Sequence, residues 1–248
     1  MIPLSIPDIR GPAAKKLYSS VKNNWVSSAG PDVKLFEASM KKFLNSKYAI
    51  STSSGSAAIY LALLALGIKA GQKVLVPDYT FAATVNAVIM MGAIPIFIDI
   101  DPTTWVIDSD LVKKAIDIYK PAAIIVVDTL GHSFNRDKLL TIARSRKVPL
   151  IEDAAGALGS QYKNMMCGTL GDIGILSFNG NKLLTTGSGG MLITNNKTIA
   201  KKARNILSQY RKPNTYEYSG IGFNFNISNL NAVIGLAQMP HLNSILKK

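Results

Sequence analysis

Helix-period and strand-period stretches alternate along this chain. Residues 33–45, VKLFEASMKKFLN, place apolar side chains at helical spacing. KYAIST (47–52) is a short strand candidate, and GSAAIYLALLALGI (55–68) is a strong helix stopped by Gly67. The alternation continues with KVLVP (73–77) as strand, FAATVNAVIMMG (81–92) as helix, IPIFIDI (94–100) as strand and SDLVKKAIDIY (109–119) as helix. AAIIVVD (122–128) and VPLIED (148–153) are strands on either side of the helix NRDKLLTIARSRK (135–147). GDIGILSFN (171–179) and GGMLITN (189–195) are strands around a polar loop, and KTIAKKARNILSQ (197–209) is a helix. Several strands are continuous apolar runs, as expected of a mostly parallel sheet covered on both faces. Repeated strand–helix units argue for an α/β doubly wound domain.

Composition narrows the class. Of 248 residues, 48% are hydrophobic and 17% charged, an ordinary globular balance. A net charge of +13 favours an anionic partner without choosing among nucleic acid, an anionic membrane and a phosphorylated small molecule. The lysines are scattered, with no long basic run or RNA-binding aromatic signature, so nucleic acid is not expected. A single cysteine, Cys167, allows no internal disulfide and suits a reducing compartment. With His132 and His241 it makes no evident zinc set, so no metal is expected. MIPLSIPDIR has no signal-peptide pattern, and no apolar stretch reaches membrane-spanning length. The expectation is a soluble, cytoplasmic protein.

In open α/β sheets, ligands gather outside the carboxyl ends of the strands. Four features fall there. STSSGSAA (51–58) opens a helix after a strand, which suits a phosphate, although an ordinary serine N-cap reads the same way. Asp153 ends an apolar strand, where a carboxylate needs a cation or donor; it could cap the next segment or pair with a protonated ring nitrogen. Phe81 could stack on a flat ring or pack in the core. Lys182 sits in SFNGNKLLTTGSGGMLIT (177–194), a loop of small residues between two strands, where a solvated lysine needs no such setting. A phosphate cradle, an aromatic plate, a buried acid and a loop lysine together match the needs of pyridoxal 5'-phosphate.

The chain resembles the sugar-nucleotide aminotransferases of the DegT/StrS family, fold-type I pyridoxal phosphate enzymes. The likeness runs through NWVSSAG (24–30), SSGSAAIYLALLALGI (53–68), VPDYTFAATVNAV (76–88), GAIPIFIDID (92–101) and GHSFNRD (131–137). It continues through IEDAAGALGS (151–160), GTLGDIGILSFNGNKLLTTGSGGMLIT (168–194) and IGFNFNISNLNAVIGLAQM (221–239). NWVSSAG and GNKLLTTGSGG look most like legionaminic acid pathway 4-aminotransferases and perosamine synthases. The resemblance implies a fold-type I large domain: a mostly parallel central sheet with helices on both faces. It implies an N-terminal arm (1–30), a cofactor-binding large domain (31–239) and a truncated start of a small C-terminal domain (240–248). Lys182 would be the Schiff-base lysine and proton shuttle, and Asp153 the partner of the pyridine nitrogen. Phe81 would stack on the ring; Ser56, Ala57 and Ser177 would bind the phosphate. Asn224 would reach the phosphate of a neighbouring subunit's cofactor in a homodimer with shared active sites. The implied reaction moves an amino group from glutamate to a UDP- or GDP-linked 4-keto-6-deoxy sugar, in the biosynthesis of surface polysaccharide such as lipopolysaccharide.

Three departures stand out. Gly156 replaces a polar residue that the family commonly carries near cofactor and substrate. Asn226 replaces the arginine of NYR. The chain stops at LNSILKK where family members continue, and Pro240 falls in a helix that normally runs on, where it should kink or break it. These leave a second reading: a catalytically impaired homologue that binds cofactor or sugar nucleotide as a regulatory or assembly partner. A family dehydratase is a further alternative, but that class replaces the lysine with histidine, so Lys182 counts against it.

Overall fold

The computed structural model describes residues 6–9 and 11–247. Its elements, in chain order, are α1 (Ala13–Lys22), α2 (Pro31–Leu44), β1 (Tyr48–Thr52), α3 (Gly55–Leu66), β2 (Lys73–Pro77) and α4 (Ala82–Met90). There follow β3 (Ile94–Ile98), α5 (Ser109–Tyr119), β4 (Ala123–Val127), α6 (Arg136–Ser145) and β5 (Leu150–Asp153). After them come β6 (Gln161–Tyr162), β7 (Met165–Met166), β8 (Ile173–Ser177), β9 (Gly190–Thr194), α7 (Lys197–Leu207), α8 (Asn229–Gln238) and α9 (Leu242–Leu246).

Seven strands form the central sheet in the order β1-β9-β8-β5-β4-β2-β3. The pairs β2–β3, β2–β4, β4–β5 and β5–β8 are parallel; β9 runs antiparallel to β8 and β1. The two faces explain the continuous apolar runs. Leu75, Ile124 and Val126 enter one core with Phe36, Met40 and Leu139. Their neighbours Val74, Val76 and Ile125 enter the other, with Leu61, Leu63 and Ala203. Alternate side chains point to opposite faces, so every position must be apolar when helices cover both.

Local signals set the helix ends. The Ser54 side chain accepts from the Ala57 N–H at the start of α3, and Gly67 ends that helix at φ 82°. Left-handed backbone there suits a residue without Cβ. Asp108, Asn135, Asn196 and Ser228 cap α5, α6, α7 and α8 in the same manner as Ser54.

The segment expected as a polar arm contains α1, which packs against α8. Asn229, fully buried, ties this region to the domain: its side chain donates to Trp25 O at 3.2 Å and accepts from Asp32 N–H at 2.9 Å. α1 is not among the elements expected from the sequence, and α8 entered that reading only through the family helix in which Pro240 falls. Pro240 has the expected effect, since α8 stops at Gln238 and a short 3-10 turn, Met239–His241, precedes α9. Residues 1–5 of the N-terminal stretch read for a leader lie outside the described residues. No helix among the described residues is long and apolar enough to cross a membrane.

Candidate active site

β1, β2, β5 and β8 point the same way, so the residues after them share one edge of the sheet. A cavity of about 310 Å³ opens there, lined by Ser54, Gly55, Ser56, Phe81, Asp153, Ser177 and Lys182 among others. A neighbouring cavity of about 620 Å³ shares Phe81, Asp153, Ala155 and Lys182, and extends to Tyr79, Asp128, Leu130 and Gly156. Together they form one continuous depression.

Of the residues singled out from the sequence, Ser56, Phe81, Asp153, Ser177 and Lys182 are brought to this depression. Ala57 is buried and not on the lining; its N–H is held by Ser54 Oγ at 3.1 Å. Asn224 is exposed on a separate cavity with Ser28, Gln209, Arg211 and Asn226. Phe81 is 82% exposed, so the core-packing alternative fails and its ring is available at the mouth. His132 lines a different pocket with Asp101 and Asp108. A basic groove between α2 and α7 holds Lys34, Lys41, Lys197 and Lys201 but no exposed ring.

Asp153 is buried at the end of β5. Its Oδ2 accepts from Thr84 Oγ1 at 2.7 Å and its Oδ1 from Ala155 N–H at 3.2 Å. Thr84 is in turn the acceptor for Thr80 Oγ1 at 2.8 Å. Burial pushes the Asp153 carboxyl above its ordinary value; the Thr84 hydroxyl, the Ala155 N–H and the Lys182 charge pull the other way. A buried acid of this kind is set to meet a cation or an N–H donor.

The loop carrying Lys182 is anchored from below. Thr185 and Thr186 hydroxyls donate to Phe178 O, at 3.2 and 3.4 Å. Gln238 on α8 takes both backbone groups of Thr185, accepting from N at 3.3 Å and donating to O at 2.6 Å. Asn231, also on α8, donates to Thr186 O at 2.6 Å. The small residues around Lys182 have a steric cause. A Cβ on Gly190 would strike the backbone of Ser54 and Gly55, and one on Gly55 would meet Ser177 Cβ at 3.1 Å. β9 therefore passes directly under the start of α3. The N–H groups of Gly55 and Ser56 lie in the first turn of α3, where no intrahelical acceptor exists. With Ser177 beside them they make an anion corner.

Thr84, Asn231 and Gln238 were not singled out from the sequence. Their polarity inside apolar helical stretches was visible, but their partners lie 45 to 69 residues away.

The family model for DegT/DnrJ/EryC1/StrS aminotransferases matches residues 7–248. The chain belongs to that family. The GDP-perosamine synthase of Escherichia coli O157:H7 is 38% identical over 249 residues, covering 100% of this chain and 68% of the relative. The crystal structure of a DegT/DnrJ/EryC1/StrS aminotransferase from Brucella abortus superposes with TM-score 0.90 at 30% identity, over 94% of this chain and 64% of that one. The E. coli GDP-4-keto-6-deoxy-D-mannose-3-dehydratase with bound hydrated PLP superposes with TM-score 0.90 at 26% identity, over 98% and 68%. This chain thus spans about two thirds of the length of its family relatives.

Proposed function

We propose that this chain is the cofactor-binding part of a pyridoxal phosphate-dependent aminotransferase. Its substrates would be glutamate and a UDP- or GDP-linked 4-keto-6-deoxy sugar, and its setting cytoplasmic surface-polysaccharide synthesis. The observation that carries this is one depression that holds Lys182, buried Asp153 and the exposed Phe81 ring beside a helix N-terminus. The residues fit the cofactor: a buried acid for the ring nitrogen, an exposed ring, an amine, and an anion corner kept open by Gly55 and Gly190.

When bound, pyridoxal phosphate supplies an electron-accepting ring that carries the amino group between donor and acceptor. The chain's own residues do the rest. Asp153 Oδ would accept the ring N–H and keep that nitrogen protonated, with Thr84 orienting the carboxylate. Lys182 Nζ would hold the carbonyl end and serve as the acid–base group that moves a proton there. The start of α3 and Ser177 Oγ would hold the phosphate. Phe81 would shield one ring face from water. Net charge +13 assists approach of a nucleoside diphosphate. Asn224 lies outside this depression, and its reading as a contact to a second subunit's phosphate makes the assembly a homodimer.

Lys182 favours transfer over the dehydratase reading. Gly156, whose added Cβ would meet nothing within 4 Å, favours the alternative of binding without turnover, since no side chain reaches into the substrate space there. One series separates them. Wild type and Lys182→Ala are titrated with pyridoxal phosphate and their visible absorbance recorded, before and after glutamate. A band that requires Lys182 and is bleached by glutamate, followed by sugar-dependent formation of 2-oxoglutarate, supports transfer. A band that glutamate leaves unchanged supports binding alone. No band from folded protein overturns transfer and leaves, of the second reading, only sugar-nucleotide binding.

A further inference from the structure

Three groups outside this chemistry meet beneath the depression. Asp128 follows β4, Glu152 precedes Asp153 on β5, and Cys167 precedes a loop that runs under both. Asp128, Glu152 and Cys167 present oxygen or sulfur atoms within 4.8 Å of one another, and all three residues are buried. Their hydrogen bonding is unequal. Glu152 uses both oxygens, accepting from the N–H groups of Gly168 (2.5 Å), Leu170 (2.6 Å) and Gly171 (3.2 Å). Asp128 Oδ1 receives one long bond from Phe134 N–H, 3.4 Å, and its Oδ2 has no donor at all.

An ionised Asp128 would leave that buried oxygen bare and set two negative charges side by side in a site of low polarity. As an acid, the same oxygen becomes a donor, and Glu152 beside it is an acceptor. Burial pushes Asp128 up to about 6 and raises Glu152 well above its ordinary value; their mutual contact lowers Asp128 and raises Glu152, so the two hold one proton as a pair. Glu152 accepts three N–H groups and Asp128 one, so the unmatched Asp128 oxygen is where the shared proton is needed. The groups facing the pair are Asp153 and the Cys167 thiol, and burial together with the two acids holds that thiol neutral. A metal ion does not suit the cluster, because three backbone N–H groups already occupy the Glu152 oxygens.

We infer that Asp128 and Glu152 share one proton, held between Asp128 Oδ2 and the facing Glu152 oxygen, and that Asp128 acts as a positioning residue for Asp153. The connection is short. Asp128 N–H donates to Asp153 O at 3.1 Å, and Val127 pairs with Asp153 across β4 and β5. Asp128 also lines the depression beside Asp153 and Lys182. The acid pair fastens the ends of both strands to the Gly168–Gly171 loop and spares Asp153 a further negative neighbour. The positioning role rests on Asp153 being the ring-nitrogen partner; the proton shared by Asp128 and Glu152 does not.

The test uses the whole chain, first without cofactor. Infrared spectroscopy at neutral pH should show the C=O stretch of a protonated carboxylic acid in wild type, and Asp128→Asn should lack it. A wild type without that band, or a band unchanged in Asp128→Asn, overturns the protonated acid whatever the enzyme does. Pyridoxal phosphate titration then reads the positioning. Asn can donate to Glu152 as the acid does, so Asp128→Asn should bind within about threefold of wild type, whereas Asp128→Ala should bind about tenfold more weakly. Asn binding as weakly as Ala, or failing to fold, overturns the neutral donor. With the infrared band present and no cofactor binding by wild type, only the reading of Asp153 fails.

Discussion

Thr84→Val tests the environment of Asp153 with little change in shape. Thr84 is fully buried and donates to Asp153 Oδ2 at 2.7 Å. Valine keeps the volume and removes the donor. A hydrogen bond to a charged group contributes about 1.5–3 kcal/mol, and burying the new methyl returns up to about 0.8 kcal/mol, so the net loss is about 1–2 kcal/mol. That is a sizeable share of the roughly 5–15 kcal/mol that holds a domain folded. The pH dependence follows from the sign of the shift. Burial raises Asp153 above its ordinary 3.8, while the Thr84 hydroxyl lowers it. An acid raised on folding binds more protons in the folded state, so stability falls as pH climbs from 3.8 through the folded value. Removing the hydroxyl raises the folded value again and deepens that fall. Urea unfolding should therefore show the larger deficit at neutral pH and a smaller one at acid pH, where protonation of Asp153 weakens its demand for the Thr84 donor. Equal deficits at the two pH values, or none at neutral pH, would refute the account of Asp153.

Arg204 donates to the buried Glu37 carboxylate at 2.9 Å and to Ala49 O at 3.0 Å, while Glu37 accepts from Ser51 N–H at 2.8 Å. The pair covers the outer edge of β1, and Arg204 is about half exposed (48%), which screens part of its effect. Arg204→Ala should cost about 1–2 kcal/mol in urea unfolding and raise aggregation, by baring an edge strand. Gly190→Ala forces a Cβ onto the Ser54 backbone at the anion corner. It should lose phosphate and pyridoxal phosphate binding by about tenfold or more in equilibrium titration, because backbone on both sides must shift. Gly156→Gln, by contrast, meets open space. Its melting temperature should stay within about 2 °C of wild type, since a surface substitution of this kind changes stability by about 0.5 kcal/mol or less. The ratio of kcat/KM between sugar nucleotides should change, and an unchanged ratio would show that Gly156 does not border the substrate.

The order of strands and helices was legible in the amino-acid pattern because burial on two faces leaves a one-dimensional trace. Val74, Leu75 and Val76 are all apolar since each must enter one core or the other. Lys182, Asp153, Phe81 and Ser177 were legible for a different reason. Each ends or follows a strand, and in a doubly wound sheet strand ends share one edge, so chain position stands in for spatial position. The packing of α1 on α8 was not legible: it depends on Asn229 reaching residues near 20 and 32, and no local spacing encodes that.

The sequence by itself determined the class of fold, the strand ends that would bear chemistry, and the lysine, acid and ring that would meet there. These properties come from local periodicity and from single residues set at strand ends. Tertiary structure alone decided that Thr84 holds Asp153 and that Gln238 and Asn231 brace the Lys182 loop. It also decided that Asn224 faces away from the depression and that Asp128 stands against Glu152 with one oxygen unmatched. Such pairings join residues far apart along the chain, and hydrogen-bond complementarity has no meaning until folding has brought donor and acceptor within 3 Å or so of each other.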